Sequence, residues 1–257
     1  VQNNPDGRRE SKGGNVMDII QAEGEDLVKS DGKAAGKVSA LIRGYKDKPC
    51  FLAVGFVRPH VHFVARAGYF DPFPFAKIKT PDHAPNDWDD IPERGINYVT
   101  SVNAEMNQEQ KQKAIAAYYA SVSYMDAQVG KVLKTLKEEG LEDNTIVVFT
   151  SDHGFHLGEH EFWMKVSLHE ESVKVPMMIK VPGKKPAIVN SFTELLDLYP
   201  TLADLAGLKA PKAIQGKSLK PLLGNPNKKV RDMAFSVSQG GKSFLIRTDK
   251  WAYIQYN

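Results

Sequence analysis

The segment Thr145-Ile146-Val147-Val148-Phe149-Thr150 runs without a break into Ser151-Asp152-His153-Gly154. A short run that is apolar on both faces reads as a strand covered from both sides, the habit of sheets with helices on each face. An Asp and a His leaving the carboxyl end of such a strand stand where open α/β sheets bind ligands. A carboxylate oxygen with a second oxygen or nitrogen donor beside it can ligate a divalent metal. The glycines at 154 and 158 let the backbone turn sharply and come close to a ligand. The plainer reading has Asp152 capping the next segment and His153 satisfied in the interior, and on composition alone the two readings weigh equally. His156 and His160 share zinc-like spacing, but a pair at i, i+4 in a glycine-rich loop is a weak signal that a structural role outweighs.

The surrounding chain supplies the rest of an α/β unit. From Lys33 to Tyr45, Ala34, Val38, Leu41, Ile42 and Tyr45 recur at helical spacing, and Cys50 to Val57 is a second apolar run, read as another buried strand. Residues 58–106 are dense in Pro, Asp, Asn and aromatics, a loop long enough to carry function. A long helix follows: Asn107 is its N-cap, Ile115, Tyr118, Tyr119, Val122, Met125, Val129, Val132 and Leu136 its stripe, and Gly140 its stop. A third strand spans 175–181, and Leu195, Leu198, Leu202 and Leu205 mark a helix over 194–205. Short alternating segments at 234–237, 243–247 and 251–255 predict an antiparallel meander. The expected fold is therefore a three-layer α/β/α sandwich with a mostly parallel central sheet and a small C-terminal antiparallel subdomain. Its divisions are an irregular segment 1–32, an α/β part 33–224 and the meander part 225–257.

Two further clusters could carry chemistry. Arg58-Pro59-His60-Val61-His62 follows an apolar run, and His60 would share the crevice of Asp152; histidine as a class can donate a proton near neutrality. The segment by itself favours a structural histidine. Lys165, among Phe162, Trp163 and Met164, could neutralise a sulfate or phosphate oxyanion, although most lysines are simply solvated. Glu170 and Glu171 read as caps or surface charges, Tyr118, Tyr119 and Tyr124 as core, and Asp126 as a helix-edge residue. Cys50 lacks a basic neighbour to stabilise a thiolate and reads as an inert core residue.

Charge and hydropathy exclude other classes. The net charge is +3 with signs interspersed, so there is no nucleic-acid footprint. No apolar stretch approaches the roughly 20 residues a membrane-spanning helix needs. One cysteine cannot form an internal disulfide.

Taken together, FLAVGFVRPH, AAYYASVSYMDAQVGKVL, TIVVFTSDHGFHLGEH, WMKVSLHEESVKVPMMI and LLDLYPTLADLAGL resemble, in this order, sulfatases of the alkaline phosphatase superfamily, above all the iduronate-2-sulfatase-like branch. The resemblance runs from about Lys33 to the C-terminus. It implies a sulfuric ester hydrolase in which a cysteine oxidised to formylglycine attacks the sulfur, calcium polarises the sulfate and a histidine protonates the departing alcohol. Carried onto matching positions, Asp152 and His153 are metal ligands, His60 contacts sulfate and acts as leaving-group acid, and Lys165 binds a sulfate oxygen. It further implies a sulfated carbohydrate as substrate and a periplasmic, lysosomal or secreted location.

Departures accompany the matches. The family's N-terminal Asp-Asp pair and its Cys-x-Pro/Ser-x-Arg motif do not occur in residues 1–257, so the chain reads as a C-terminal portion whose nucleophile lies upstream, in a missing N-terminal part. Asp89-Asp90 falls within the long loop, and Cys50 is followed by Phe51-Leu52-Ala53-Val54. The family's Lys-Pro-His-x-Pro is here Arg58-Pro59-His60-Val61-His62, which bears on loop geometry and substrate choice. Alternative readings are a phosphodiesterase or phosphonate monoester hydrolase of the same superfamily, and a truncated chain that binds glycan without turnover. The loop over 62–106, with Asp87, Trp88, Asp89, Asp90 and Tyr98, is the expected substrate rim.

Overall fold

The computed structural model describes residues 14–26, 29–96 and 105–257. In chain order, β1 (Ile19–Ala22), α1 (Ser30–Tyr45), β2 (Phe63–Arg66) and α2 (Gln108–Glu138) precede β3 (Val147–Thr150), β4 (His156–Leu157) and β5 (Trp163–Met164). They are followed by α3 (Glu170–Val173), β6 (Met177–Lys180), α4 (Leu198–Leu205), α5 (Lys220–Gly224), β7 (Met233–Val237), β8 (Ser243–Thr248) and β9 (Ala252–Tyr256). Two compact units result. One comprises Val1–Asp90, Asn97–Thr145 and Phe155–Met164; the other comprises Ile91–Ile96, Ile146–Gly154 and Lys165–Asn257.

The first unit is built on α2. Asn107 accepts from the Gln110 amide while the Gln110 side chain accepts from the Asn107 amide, each at 2.9 Å, a reciprocal cap that satisfies two otherwise orphaned donors. Gly140, at a φ of +68°, ends the helix as expected. Against α2 lie α1 and the parallel pair β1–β2, in which Ile19 is opposite Phe63. Val16, Phe63, Met106, Ala114, Ile115, Ala117 and Trp163 form the apolar core, and a second cluster joins Ala65, Ala120 and Tyr124.

The buried face of α2 includes Ile115 and Leu136 of the expected stripe but extends beyond it. Tyr119 is exposed, whereas Tyr124, Gln128 and Ser121 are buried beside the alanines. Small residues let neighbouring backbones approach, and Tyr124 and Gln128 each meet a distant partner in the interior. Asp26 accepts from Tyr69 at 2.7 Å, Gln128 at 3.1 Å and Lys131 at 3.3 Å. Burial opposes ionisation of Asp26, but those three bonds outweigh it and hold its carboxyl below the ordinary range. The same burial and the Asp26 charge push Tyr69 up to about 12.

In the second unit β3 and β6 pair antiparallel, with Val147 opposite Lys180 and Thr150 opposite Met177. The C-terminal meander appears as expected, in the order β7-β8-β9. Helix α4 follows a short 3-10 turn; of the expected stripe Leu195 is exposed and Leu198, Leu202 and Leu205 are half-buried, while Asp197, Pro200 and Thr201 are buried. Asp197 receives the main-chain amides of Glu194 and Lys217 at 2.9 and 2.7 Å, and Arg231 Nε at 3.0 Å.

Two other expectations change. Cys50 to Val57 forms no strand among the described residues, and Phe51 is 78% exposed with Leu52, Val54 and Val57 also open. The apolar pattern is that of a covered strand, but the covering is not supplied by the described residues. Cys50 is accordingly exposed rather than a core residue. Residues 14–26, without period in the sequence, hold β1, whose four residues are too few to show one; residues 1–13 and 27–28 of the segment 1–32 lie outside the described residues. No helix among the described residues is long and apolar enough to cross a membrane.

Candidate active site

In the second unit β3 ends at Thr150, and its hydroxyl donates to the Pro176 carbonyl at 2.9 Å, closing the sheet where the chain leaves it. Asp152 and His153 come next. The Asp152 side chain is 87% exposed, and its Oδ2 lies 3.6 Å from His153 Nε2. The Nδ1–H of His153 donates to the Gly154 carbonyl at 2.7 Å, which leaves the Nε2 lone pair beside the carboxylate. Ser151 Oγ donates to the His153 carbonyl at 2.8 Å, and the His153 amide donates to Asp152 Oδ1 at 3.1 Å.

Gly154 is required by packing rather than by φ. Its amide donates to the Ser172 carbonyl at 2.8 Å, and a Cβ there would stand 2.0 Å from the Glu171 carbonyl oxygen. The Asp-His pair is therefore braced by direct contact between its turn and the start of the chain leading to β6. Lys165 belongs to the same unit and is half-buried; its carbonyl accepts from the Ser167 amide at 3.0 Å. Glu170 pairs with Lys174 at 3.5 Å and Arg247 at 3.6 Å, in keeping with a surface charge.

An imidazole lone pair next to an exposed carboxylate is a donor set that suits a divalent cation. Among the described residues no group of three or more His, Cys, Asp or Glu forms a complete metal cage, so the pair fits as part of a coordination sphere.

His60 lies in the first unit, exposed, just after Arg58-Pro59. Its amide donates to the Val57 carbonyl at 2.9 Å and its Nδ1–H to the Val61 carbonyl at 2.5 Å. Arg58 Nη1 donates to the His60 carbonyl at 2.8 Å. The turn thus takes up Nδ1 and leaves Nε2 as the other ring nitrogen. His62 pairs with Asp18 at 3.1 Å.

The expected rim is partly self-occupied. His160 Nδ1–H donates to Asp87 Oδ2 at 2.8 Å, and Trp88 Nε1 donates to the His160 carbonyl at 2.6 Å. Trp88 packs at 5.8 Å from Phe162, and the buried His156 meets the same ring at 5.5 Å. His156 and His160 are thus engaged separately. Asn86, His160, Glu161 and Met164, the positive-φ residues other than glycine among those described, cluster in this corner. The Asp87–His160 pair was not legible: the two are 73 positions apart, and only the rim reading had drawn notice to Asp87. Tyr98 lies outside the described residues.

Comparison with known proteins now bears on this arrangement. A curated sulfatase of Formosa agariphila is 35% identical over 240 residues, covering 90% of this chain and 46% of that protein. Mouse (Mus musculus) iduronate 2-sulfatase is 34% identical over 202 residues, covering 63% of this chain and 37% of its own length. The chain thus spans less than half the length of these relatives. The solved phosphonate monoester hydrolase of Silicibacter pomeroyi superposes with a TM-score of 0.81 at 23% identity, covering 98% of this chain and 58% of that one. That likeness shows a shared fold. Residues 20–208 match the family model described as Sulfatase, and with this coverage the chain belongs to the sulfatase family.

Proposed function

We propose that this chain carries the metal-binding, sulfate-binding and leaving-group side of a sulfuric ester hydrolase acting on a sulfated glycan. The observation that carries the reading is the Asp152–His153 pair, two donors 3.6 Å apart at the end of β3. Asp152 and His153 would hold calcium, which when bound offsets charge on the sulfuryl oxygens and polarises the sulfur. Lys165 brings a further cation to a sulfate oxygen, where charge shifts as the ester S–O bond breaks. His60 supplies its Nε2 proton to the departing alkoxide, so that the sugar leaves as a neutral alcohol.

The nucleophile belongs, in this reading, to a preceding part of a longer protein, where a formylglycine would be made from cysteine. The bare apolar run 50–57 supports it, since a covered strand pattern calls for neighbours that an upstream segment would provide. The name of the mouse relative supports a sulfated sugar as substrate. Export to a periplasm, a lysosome or the cell exterior belongs to the same proposal and rests on family resemblance.

The test uses the full-length protein encoded with this chain. Intact-mass analysis should find a Cys-x-Pro/Ser-x-Arg segment lightened by conversion to formylglycine, and sulfate release from a sulfated disaccharide should fall with a calcium chelator. Turnover of a phosphonate monoester without any sulfate release would move the assignment to the phosphoryl-transfer branch of the superfamily. Binding of the disaccharide with no turnover of either ester would leave only a glycan-binding role.

A further inference from the structure

Asp31 is 1% exposed, in the first turn of α1. A buried carboxylate is costly unless its oxygens are taken up by donors. Here both are used on the main chain of one distant segment. Oδ1 accepts from the Val57 amide at 2.9 Å and Oδ2 from the Arg58 amide at 3.0 Å. The N-terminal turn of a helix favours negative charge at this point, and Ser30 Oγ adds a long bond of 3.4 Å to Oδ1. The helix start is itself fixed, because the Gly32 amide donates to the hydroxyl of buried Tyr124 at 3.1 Å.

The two residues so held are the reference points of the His60 turn. The Val57 carbonyl accepts from the His60 amide, and the Arg58 guanidinium donates to the His60 carbonyl. Both main-chain polar groups of His60 are thus referred to residues whose own amides end on Asp31. Val57 otherwise belongs to an exposed stretch with no strand pairing among the described residues. We infer that Asp31 is the positioning residue for His60: it fixes the last two residues before the turn and so aims Nε2 at the departing oxygen. The inference rests on the proposed role of His60 as leaving-group acid.

The experiment compares Asp31→Asn and Asp31→Ser with His60→Gln in the full-length enzyme, on two sulfate esters. One is para-nitrophenyl sulfate, whose leaving group departs without a proton; the other is an alkyl sulfate, whose leaving group needs one. Asparagine keeps the shape but turns an amide donor toward a main-chain N–H, and serine accepts from at most one of the two. Both variants should lower kcat on the alkyl ester roughly ten- to a hundredfold with KM changed less than about threefold, and leave the aryl ester within about threefold. The double variant Asp31→Asn with His60→Gln should be no slower than His60→Gln alone. Equal losses on both esters, or loss of the folded protein in both variants, would assign Asp31 to folding only and overturn the inference while His60 stands. A His60→Gln enzyme that does not discriminate between the esters would remove the role of His60, and the inference with it.

Discussion

Arg231 meets the fully buried carboxylate of Asp197 with two of its nitrogens and reaches Glu194 with the second at 3.1 Å. Glu194 in turn accepts from the Phe235 amide at 2.8 Å, so one guanidinium ties the turn before α4 to the edge of the C-terminal meander. Removing one partner of a buried pair leaves a charge without compensation. Arg231→Leu should lower the unfolding free energy of the protein by about 3 kcal/mol or more, read from urea denaturation. A change below about 0.5 kcal/mol, the range of ordinary surface substitutions, would refute this role.

The same pair predicts an acid limit. Burial raises the Asp197 pKa, but the bonds from Arg231, Lys217 and Glu194 outweigh it and the net shift is downward from 3.8. A carboxylate with a depressed folded pKa stabilises above its unfolded value, and that stability drains away as pH falls through the folded one. Asp26 adds a contribution of the same sign. Melting temperature should therefore be flat in these groups above about pH 5 and fall progressively below about pH 4. Asp197→Asn should melt lower at neutral pH and show a shallower decline in acid.

Gly154→Ala tests the brace behind Asp152 and His153. With a Cβ 2.0 Å from a main-chain oxygen, the turn or the segment at Glu171 must move. We expect loss of the calcium-induced rise in melting temperature in the full-length enzyme. Asp152→Ala should abolish that rise as well, whereas Lys165→Met should retain it and instead raise KM for the sulfate ester. A calcium response surviving in Asp152→Ala would contradict the assignment of the ligand pair.

Tyr124→Phe removes the acceptor of the Gly32 amide and the long donor to the Asp26 carbonyl, at 3.5 Å. Leaving a buried amide without its partner costs about 1–3 kcal/mol, measurable by chemical denaturation. Because this hydroxyl anchors the start of α1, the variant should also lose part of its turnover on the alkyl ester.

These networks mark the border of what the sequence discloses. The Asn107 cap, the Gly140 stop and the meander were legible because each is written in neighbouring residues. The position of Asp152 and His153 just after β3 was legible because the apolar run 145–150 leads straight into them, although β3 is half-buried rather than covered on both faces. Asp26, Asp31 and Asp197 were not, since the partner that makes each of them tolerable in the interior lies far along the chain; Tyr124 was read as core, but not its bond to Gly32, 92 positions away. Periodicity found Ile115 and Leu136 on α2 but not the buried Gln128, nor Thr201 on α4, because it ranks apolar residues above polar ones that hydrogen bonding makes tolerable in the interior.

The bare stretch from Phe51 to Val57 has a consequence for handling the protein. Apolar backbone that pairs with no strand, as from Phe51 to Phe56 among the described residues, is a template for strand addition, and any other chain that presents an edge will serve. Produced alone, this polypeptide should scatter light as its concentration rises and bind dyes that report stacked strands. Replacing Val54 with lysine should suppress that self-association without disturbing the apolar clusters packed on α2.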